Sequence, residues 1–149
     1  MIYSIEEGIF AIIPRYTDRG DSTYIYTSKG VGRTYGMSMR TFLKRMYFFY
    51  AIDLIAQKNR FKKMGIYQNA PIVIRDQVFI KVRVRRPIGK SDGAYGYVNV
   101  RGISKIGKKD GKAVVILNDG FEIKSLDSYE TLSKNLVLGL SLDVEKFWN

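Results

Sequence analysis

Two clusters of basic side chains are the groups in this sequence most suited to chemistry, and that chemistry is the binding of phosphate. The first cluster follows a helix-forming stretch, and the second begins on an alternating, strand-like segment. The first consists of Lys58, Arg60, Lys62 and Lys63, and the second of Lys81, Arg83, Arg85, Arg86 and Lys90. A lysine or arginine placed against a phosphate releases condensed counterions, which makes such binding steeply salt-dependent. These nine residues are the predicted contacts with a polyanion.

The charge of the chain is segregated along its length. Its 149 residues carry 25 Lys and Arg against 14 Asp and Glu, for a formal net charge of +11. Residues 29–64 hold nine basic side chains and one acidic one, whereas residues 113–149 hold three basic and six acidic ones. A charge needed only for solubility would be mixed in sign. The distribution therefore favours a polyanionic partner such as DNA, RNA or anionic lipid, and nucleic acid first among these.

Histidine and cysteine are absent from the sequence. The first absence removes the usual general base at neutral pH and the commonest metal ligand, and the second excludes disulfides and thiolate metal sites. Glu122 and Lys124 resemble part of a metal-dependent nuclease site, for which Asp110 or Asp119 could supply a second carboxylate. The triplet Glu-X-Lys, here Glu122-Ile123-Lys124, is frequent in charged strands. We therefore predict that Glu122 and Lys124 are a solvent-facing pair on a hairpin. No catalytic residue, metal or cofactor is predicted.

Two helices are predicted to carry the first cluster and the residues before it. Ser38 is a favoured N-cap for a helix over residues 38–50, and Asp53 is one for a helix over residues 53–64. Gly65 supplies the stop for the second helix.

A third helix is predicted over residues 128–140. Asp127 and Glu130 have the spacing of a capping box at its start. The segment 127–140 is expected to pack within the monomer, with a dimer surface as the alternative. Its predicted apolar stripe consists of Tyr129, Leu132, Leu136 and Leu140.

The rest of the chain is predicted to be mostly antiparallel β structure. Residues 2–13 are expected to form a hairpin that turns at residues 6–8, and Asn118-Asp119-Gly120 is a second hairpin turn. Residues 30–36 and 89–96 are expected to be glycine-rich loops. The other predicted strands cover residues 22–27, 78–85, 97–103, 113–117 and 121–124. The predicted fold class is α+β, with a single DNA-binding domain over residues 1–149.

Aromatic residues have two expected roles. Four consecutive ones are predicted to be buried, since contiguous aromatics cannot all face solvent without inviting aggregation. For Tyr95 and Tyr97, contact with a ligand and packing over neighbouring glycines both stay open. The four consecutive residues are Tyr47, Phe48, Phe49 and Tyr50.

The order of segments resembles the ComK family, the competence transcription factors of Gram-positive bacteria. Short motifs spread over almost the whole chain carry this resemblance. They are residues 3–5, 11–14, 47–49, 59–66 (NRFKKMGI), 70–74 (APIVI), 97–106, 115–120 (VILNDG) and 128–132 (SYETL). Residues 97–100 and the hairpin after them also resemble LytTR-type DNA-binding domains.

The resemblance implies a transcriptional activator that binds double-stranded DNA at paired A/T-rich boxes, largely through the minor groove. It also implies homodimers that assemble in pairs on DNA, and an adaptor that delivers the protein for proteolysis. Lys62 and Lys63 lie in the segment that matches the family's basic, glycine-ended stretch. The resemblance thus assigns a DNA contact to both lysines.

A cytoplasmic, nucleoid-associated regulator that is not an enzyme is the function predicted from the sequence. The apolar run over residues 9–14 is too short to span a bilayer, so no membrane partner is expected. An RNA- or ribosome-binding module is the alternative, because it would use the same cations.

Overall fold

A computed structural model describes residues 8–142 of the chain, and three helices and nine strands lie within them. The α+β class is confirmed. The first half of the predicted N-terminal hairpin lies outside the described residues. In chain order the elements are β1 (Ile9–Thr17), β2 (Gly20–Thr27), β3 (Gly32–Tyr35), α1 (Met39–Phe49), α2 (Leu54–Lys63), β4 (Ile72–Ile74), β5 (Gln77–Arg83), β6 (Tyr95–Asn99), β7 (Ile103–Lys109), β8 (Lys112–Leu117), β9 (Glu122–Lys124) and α3 (Tyr129–Ser141).

The strands form two antiparallel sheets. The larger has the order β3-β2-β1-β6-β5-β4, and the smaller has the order β7-β8-β9. A turn of 3-10 helix over Val100–Gly102 separates β6 from β7. The single strand predicted over residues 97–103 is therefore wrong, as is the loop predicted over residues 30–36, which contains β3.

Each face of the larger sheet packs into its own core. Phe42 and Met46 of α1 pack with Ile12 and Phe79 on one face. On the other face, the even-numbered residues of β5 pack with Leu132 of α3 and with the smaller sheet. Because successive side chains of a strand point to opposite faces, β5 contributes to both cores. Among the described residues, no helix is long and apolar enough to cross a membrane.

The start of each helix is set by a local side-chain cap. Ser38 accepts a hydrogen bond from the Thr41 amide at 3.2 Å, which confirms the predicted cap of α1. Asp53 accepts one from the Ala56 amide at 3.0 Å, which confirms that of α2. For α3 the predicted Asp127 cap is wrong, because Ser128 occupies the N-cap position. A serine satisfies the same backbone donors, so the helix starts one residue later.

The buried face of α3 differs from the predicted stripe. Leu132 is buried as expected, but Tyr129 and Leu140 are exposed, and Asn135 and Gly139 are buried instead. A Cβ atom on Gly139 would lie 2.5 Å from Cγ2 of Ile80 on β5. The glycine thus permits a close approach of α3 to β5. The helix therefore packs on the sheet through Leu132, Asn135 and Gly139, and not through Tyr129 and Leu140.

The outer edge of β5 is covered by side chains instead of a full-length strand. β4 pairs only with residues 77–79, which leaves the backbone of Lys81 and Arg83 beyond its end. Asn135 of α3 donates from Nδ2 to the Lys81 carbonyl at 3.1 Å. Asp127 accepts from the Arg83 amide at 2.8 Å, and the Leu126 amide donates to the Arg83 carbonyl at 2.8 Å. This cover joins α3 and the smaller sheet to the edge of the larger one.

A buried tyrosine links the two sheets at another point. The Tyr26 hydroxyl of β2 donates to Asp119 in the β8–β9 turn at 2.5 Å, and its ring stacks on Phe121 with a centroid distance of 4.0 Å. The hydrogen bond from Tyr26 lowers the pKa of Asp119. The same bond, with burial, raises the pKa of Tyr26 to about 12.

We expect Asn135→Ala to lower the free energy of unfolding by about 1–3 kcal/mol, because the Lys81 carbonyl would lose its partner in a buried place. Urea denaturation monitored by circular dichroism measures this change. Lys134→Ala is the control, since it changes an exposed neighbour on the same helix. Equal stabilities of Asn135→Ala and wild type would show that the edge is held by other contacts.

The link between Tyr26 and Asp119 predicts a pH-dependent stability. Asp119 has a lowered pKa in the fold, so its contribution is present above the ordinary carboxyl pKa of 3.8 and is lost as the pH falls through the lowered value. Tyr26 has a raised pKa, so its contribution begins to be lost as the pH rises above 10.0. Wild type should therefore exceed Tyr26→Phe in stability most at intermediate pH. A stability difference that is constant with pH would contradict the link.

Candidate nucleic-acid interface

A groove of about 380 Å³ with three lysines lies between α2 and the larger sheet. Lys58 and Lys62 come from α2, and Lys81 comes from β5. We call it the lysine groove. The described residues that line it include no aspartate or glutamate. It therefore has a net positive charge, while Asp127, outside this lining, interacts electrostatically with Lys81.

Helix α2 is fixed in place by two contacts. Phe61 is fully buried and packs into the core that contains the even-numbered residues of β5. Gln57 donates to the Val73 carbonyl at 2.9 Å and accepts from the Val73 amide at 3.0 Å, so its side chain ties the helix to β4. Lys58 and Lys62 are four residues apart and lie on one side of the helix, where both reach the groove.

Lys81 is the most enclosed cation of the groove. It lies opposite Tyr97 of β6, and its Nζ atom lies 4.2 Å from the centre of the Tyr95 ring. Burial and, second, the positive charge of Lys58 lower the pKa of the Lys81 amine. An anion in the groove would relieve both effects, because it would replace lost hydration and screen one lysine from the other.

Two tyrosines supply neutral hydroxyl groups at the groove. Tyr47 of α1 and Tyr97 of β6 both line it, and burial raises the pKa of each hydroxyl. Both therefore remain protonated at neutral pH and can donate hydrogen bonds to an anionic oxygen. Tyr97 thus lines the groove, and its contact with a ligand stays a prediction.

Lys81 and Tyr97 also line a second groove, of about 240 Å³, beside the start of α1. Arg40, near the start of α1, is the further cation of that groove, and Asp21 and Tyr95 lie there as well. The two grooves are thus joined at Lys81. Arg40 of α1 and the two lysines of α2 therefore lie around Lys81 of β5.

The remaining strand cations lie elsewhere. Arg83 and Arg86 line a groove of about 490 Å³ together with Lys108 and Lys112, which flank the β7–β8 turn. We call it the hairpin groove. It also contains Asp127 and Glu130, so its charge is mixed. The predicted second cluster is therefore divided, with Lys81 joined to the first cluster instead.

Arg85 is held in an internal network, and the predicted alternation is wrong at this residue because β5 ends at Arg83. Its Nη1 atom lies 2.7 Å from Asp21 Oδ1, its Nε donates to the Gly93 carbonyl at 2.6 Å, and its guanidinium stacks over Tyr16. The side chain is only 11% exposed. Its main role in the fold is to hold the loop before β6.

Three predicted contacts lie outside these grooves. Arg60 and Lys63 are exposed on α2 but do not line the lysine groove. Lys90 is exposed in the loop between β5 and β6. The predicted first cluster is thus split by the helix, with Lys58 and Lys62 on the groove side.

Burial of all four consecutive aromatic residues is wrong for two of them. Phe48 is 89% exposed and Phe49 is 47% exposed, whereas Tyr50 is buried. Helix α1 places Phe42 and Met46 on the sheet, four residues apart. Phe48 and Phe49 lie off that stripe, so helical periodicity could have identified them.

Other groove residues were missed in the sequence, although some had a signal. Asp110-Gly111 forms the turn between β7 and β8, with a positive φ at both residues. Asp-Gly is a strong hairpin signal, and its use would have placed Lys108 and Lys112 beside a turn. Tyr67 and Asn69 line the lysine groove without any sequence pattern that distinguishes them.

The residues of the nuclease alternative have other partners. Glu122 forms an ion pair with Lys109 at 2.8 Å, and Asp119 accepts the hydrogen bond from Tyr26. Within residues 8–142, no three side chains of His, Cys, Asp or Glu are grouped so that they could hold a metal ion. This arrangement gives the nuclease hypothesis no support.

No family model, curated protein or solved structure matches the chain. Function is therefore inferred from the grooves and their charges.

We expect Lys58→Gln to raise the pKa of the Lys81 amine, because the substitution removes the nearby positive charge. The pKa should stay below its ordinary value of 10.5, since burial, the larger cause, remains. NMR titration of the lysine side-chain ¹³Cε signals measures the shift. Lys63→Gln, which lies outside the groove, should leave the pKa of Lys81 unchanged. An equal shift in both variants would contradict the proximity of Lys58 and Lys81.

Proposed function

We propose that the protein is a sequence-preferring regulator of transcription that binds double-stranded DNA and holds the DNA backbone in the lysine groove. The observation that carries this proposal is the grouping of Lys58, Lys62 and Lys81 in one groove whose described lining contains no acidic side chain. Such a site is electrostatically incomplete without an anion, and a phosphate oxygen is the anion that a basic protein of this kind meets along a duplex.

The chemistry of the groove suits a phosphodiester better than a small carboxylate. Lysine amines bind phosphate as point charges, and the hydroxyls of Tyr47 and Tyr97 can donate to its remaining oxygens. An openly accessible groove also allows a continuous backbone to pass through it. Arg40 and Lys81, at the adjoining groove, extend the same cationic surface.

The hairpin groove provides further backbone contacts in this proposal. Arg83 and Arg86 are suited to phosphate or to a narrow A/T-rich minor groove, where the negative potential is enhanced. Lys108 and Lys112 would contact phosphates beside them. The acidic residues of this groove make its contribution smaller than that of the lysine groove.

The resemblance described above supplies the finer parts of the proposal. These are recognition of paired A/T-rich boxes, binding as a homodimer that pairs on DNA, activation of target genes and delivery to proteolysis by an adaptor. A cytoplasmic location at the nucleoid belongs with them.

Lys62→Gln and Lys63→Gln form a matched pair for testing this function. The two substitutions remove the same charge from adjacent residues of α2, but only Lys62 lines the groove. We expect Lys62→Gln to weaken binding to a duplex with A/T-rich boxes by roughly tenfold, as for loss of a charged hydrogen bond. The slope of log affinity against log salt should fall by about one. Lys63→Gln should change both quantities much less. Fluorescence anisotropy at several salt concentrations measures them.

The same titrations include a G/C-rich duplex and a structured RNA as competitors. Tighter binding to the A/T-rich duplex than to either competitor supports the regulator. Preferential binding to the RNA would instead favour the RNA-binding alternative. Equal binding to both duplexes, or equal effects of the two lysine substitutions, would overturn the proposed function or its assignment to the lysine groove.

A further inference from the structure

The segment over residues 65–70 forms one rim of the lysine groove and has a fixed backbone. Gly65 and Asn69 both have a positive φ, of 83° and 52°. The Ile66 amide donates to the Phe61 carbonyl at 2.9 Å, and the Ile66 side chain packs against the core. The segment is thus anchored at its start to the buried end of α2. We call it the rim loop.

Two residues of the rim loop border the groove with side chains that bond to nothing else in the described part of the chain. Tyr67 is 73% exposed, and Tyr67 and Asn69 both line the lysine groove. Within residues 8–142, neither side chain takes part in a hydrogen bond, ion pair or ring contact. A large aromatic ring that contributes little to the core, beside an amide with unused donors and acceptors, is available for a ligand in the groove.

These two groups differ in chemistry from the cations beside them. Lysines that bind phosphate fix the position of a nucleic acid but carry no information about its sequence. An asparagine amide can donate hydrogen bonds to N3 of adenine and O2 of thymine, the acceptors that A·T pairs present in the minor groove. A tyrosine adds a hydroxyl group and a flat surface that can lie against sugars and base edges. Both kinds of contact are found together at the lysine groove.

We propose that Tyr67 and Asn69 are the residues that read bases of the DNA held by the lysine groove. This inference rests on the proposed function and adds the source of its sequence preference. In this arrangement Lys58, Lys62 and Lys81 hold the backbone, while the rim loop reaches from the same groove toward the bases.

The positive φ of Asn69 allows a substitution that distinguishes a role in the turn from a role in binding bases. Asparagine is tolerated at positive φ, so its presence could serve the turn alone. Glycine adopts that conformation at no steric cost and has no amide side chain. Asn69→Gly therefore removes the proposed base contact while it keeps the turn, which Asn69→Ala would not do.

The experiment compares wild type with Tyr67→Ala, Asn69→Gly and the control Gln68→Ala. Gln68 is exposed in the same loop but does not line the groove. Affinities for an A/T-box duplex and for a G/C-rich duplex of equal length are measured by anisotropy at several salt concentrations. Thermal unfolding of each variant confirms the fold.

We expect Asn69→Gly to reduce the ratio of the two affinities by about tenfold, within the range for one lost base contact. Tyr67→Ala should reduce the ratio as well. The salt slope should stay unchanged in both variants, because no phosphate contact is lost. Gln68→Ala should leave the ratio and the slope as they are in wild type.

An unchanged affinity ratio in both Tyr67→Ala and Asn69→Gly would overturn the inference, as would equal losses on both duplexes. Either result would leave the proposed function standing if wild type prefers the A/T-box duplex and Lys62→Gln lowers the salt slope. If Asn69→Gly unfolds at a lower temperature, Tyr67→Phe and Tyr67→Ala decide the matter. Both act on an exposed side chain, so a ratio that neither changes would likewise overturn it.

Discussion

The cover over the outer edge of β5 is the interaction on which the rest of the structure depends. β4 is too short to pair with the end of β5, and Asn135 and Asp127 satisfy the backbone groups that it leaves. These bonds attach α3 and the smaller sheet to the larger sheet. The pairing of β5 with β6 sets the register of the strand, and therefore the face on which the side chain of Lys81 lies. Asn135 is a buried polar residue because the Lys81 carbonyl at this edge needs a hydrogen-bond donor.

Strand β5 connects the two cores to the candidate site. Its even-numbered residues pack with α3, whereas Phe79 packs with α1 and Lys81 continues on the same face beyond that core. Helix α2 lies beside β4, where Gln57 bonds to the Val73 backbone and Phe61 packs into the core that contains α3. The lysine groove is thus formed where the apolar cover of the sheet stops. The alternation of β5 brings Lys81 to the groove, and α2 adds Lys58 and Lys62.

Local signals in the sequence were sufficient to place the three helices and the turn at Asn118-Asp119-Gly120. The caps Ser38 and Asp53 bond to amides three residues away, so short patterns could predict them. The grouping of Lys81 with Lys58 depends on packing between distant segments. The spacing of residues along the chain could not predict it. Arg85 illustrates the same limit, because its partner Asp21 is 64 residues away. The exposed Phe48 was missed for a different reason, since its helical phase was readable but was outweighed by its hydrophobicity.

The alternation along β5 has a consequence for how such a protein can diverge. Position 81 shares its backbone hydrogen bond with Asn135 whatever side chain it carries, because the bond uses the carbonyl group. Mutation there can therefore alter the charge of the groove without disturbing the neighbouring Ile80 and Val82, which cannot vary as easily. The charge of the groove and the packing of the core thus depend on alternate residues of one strand.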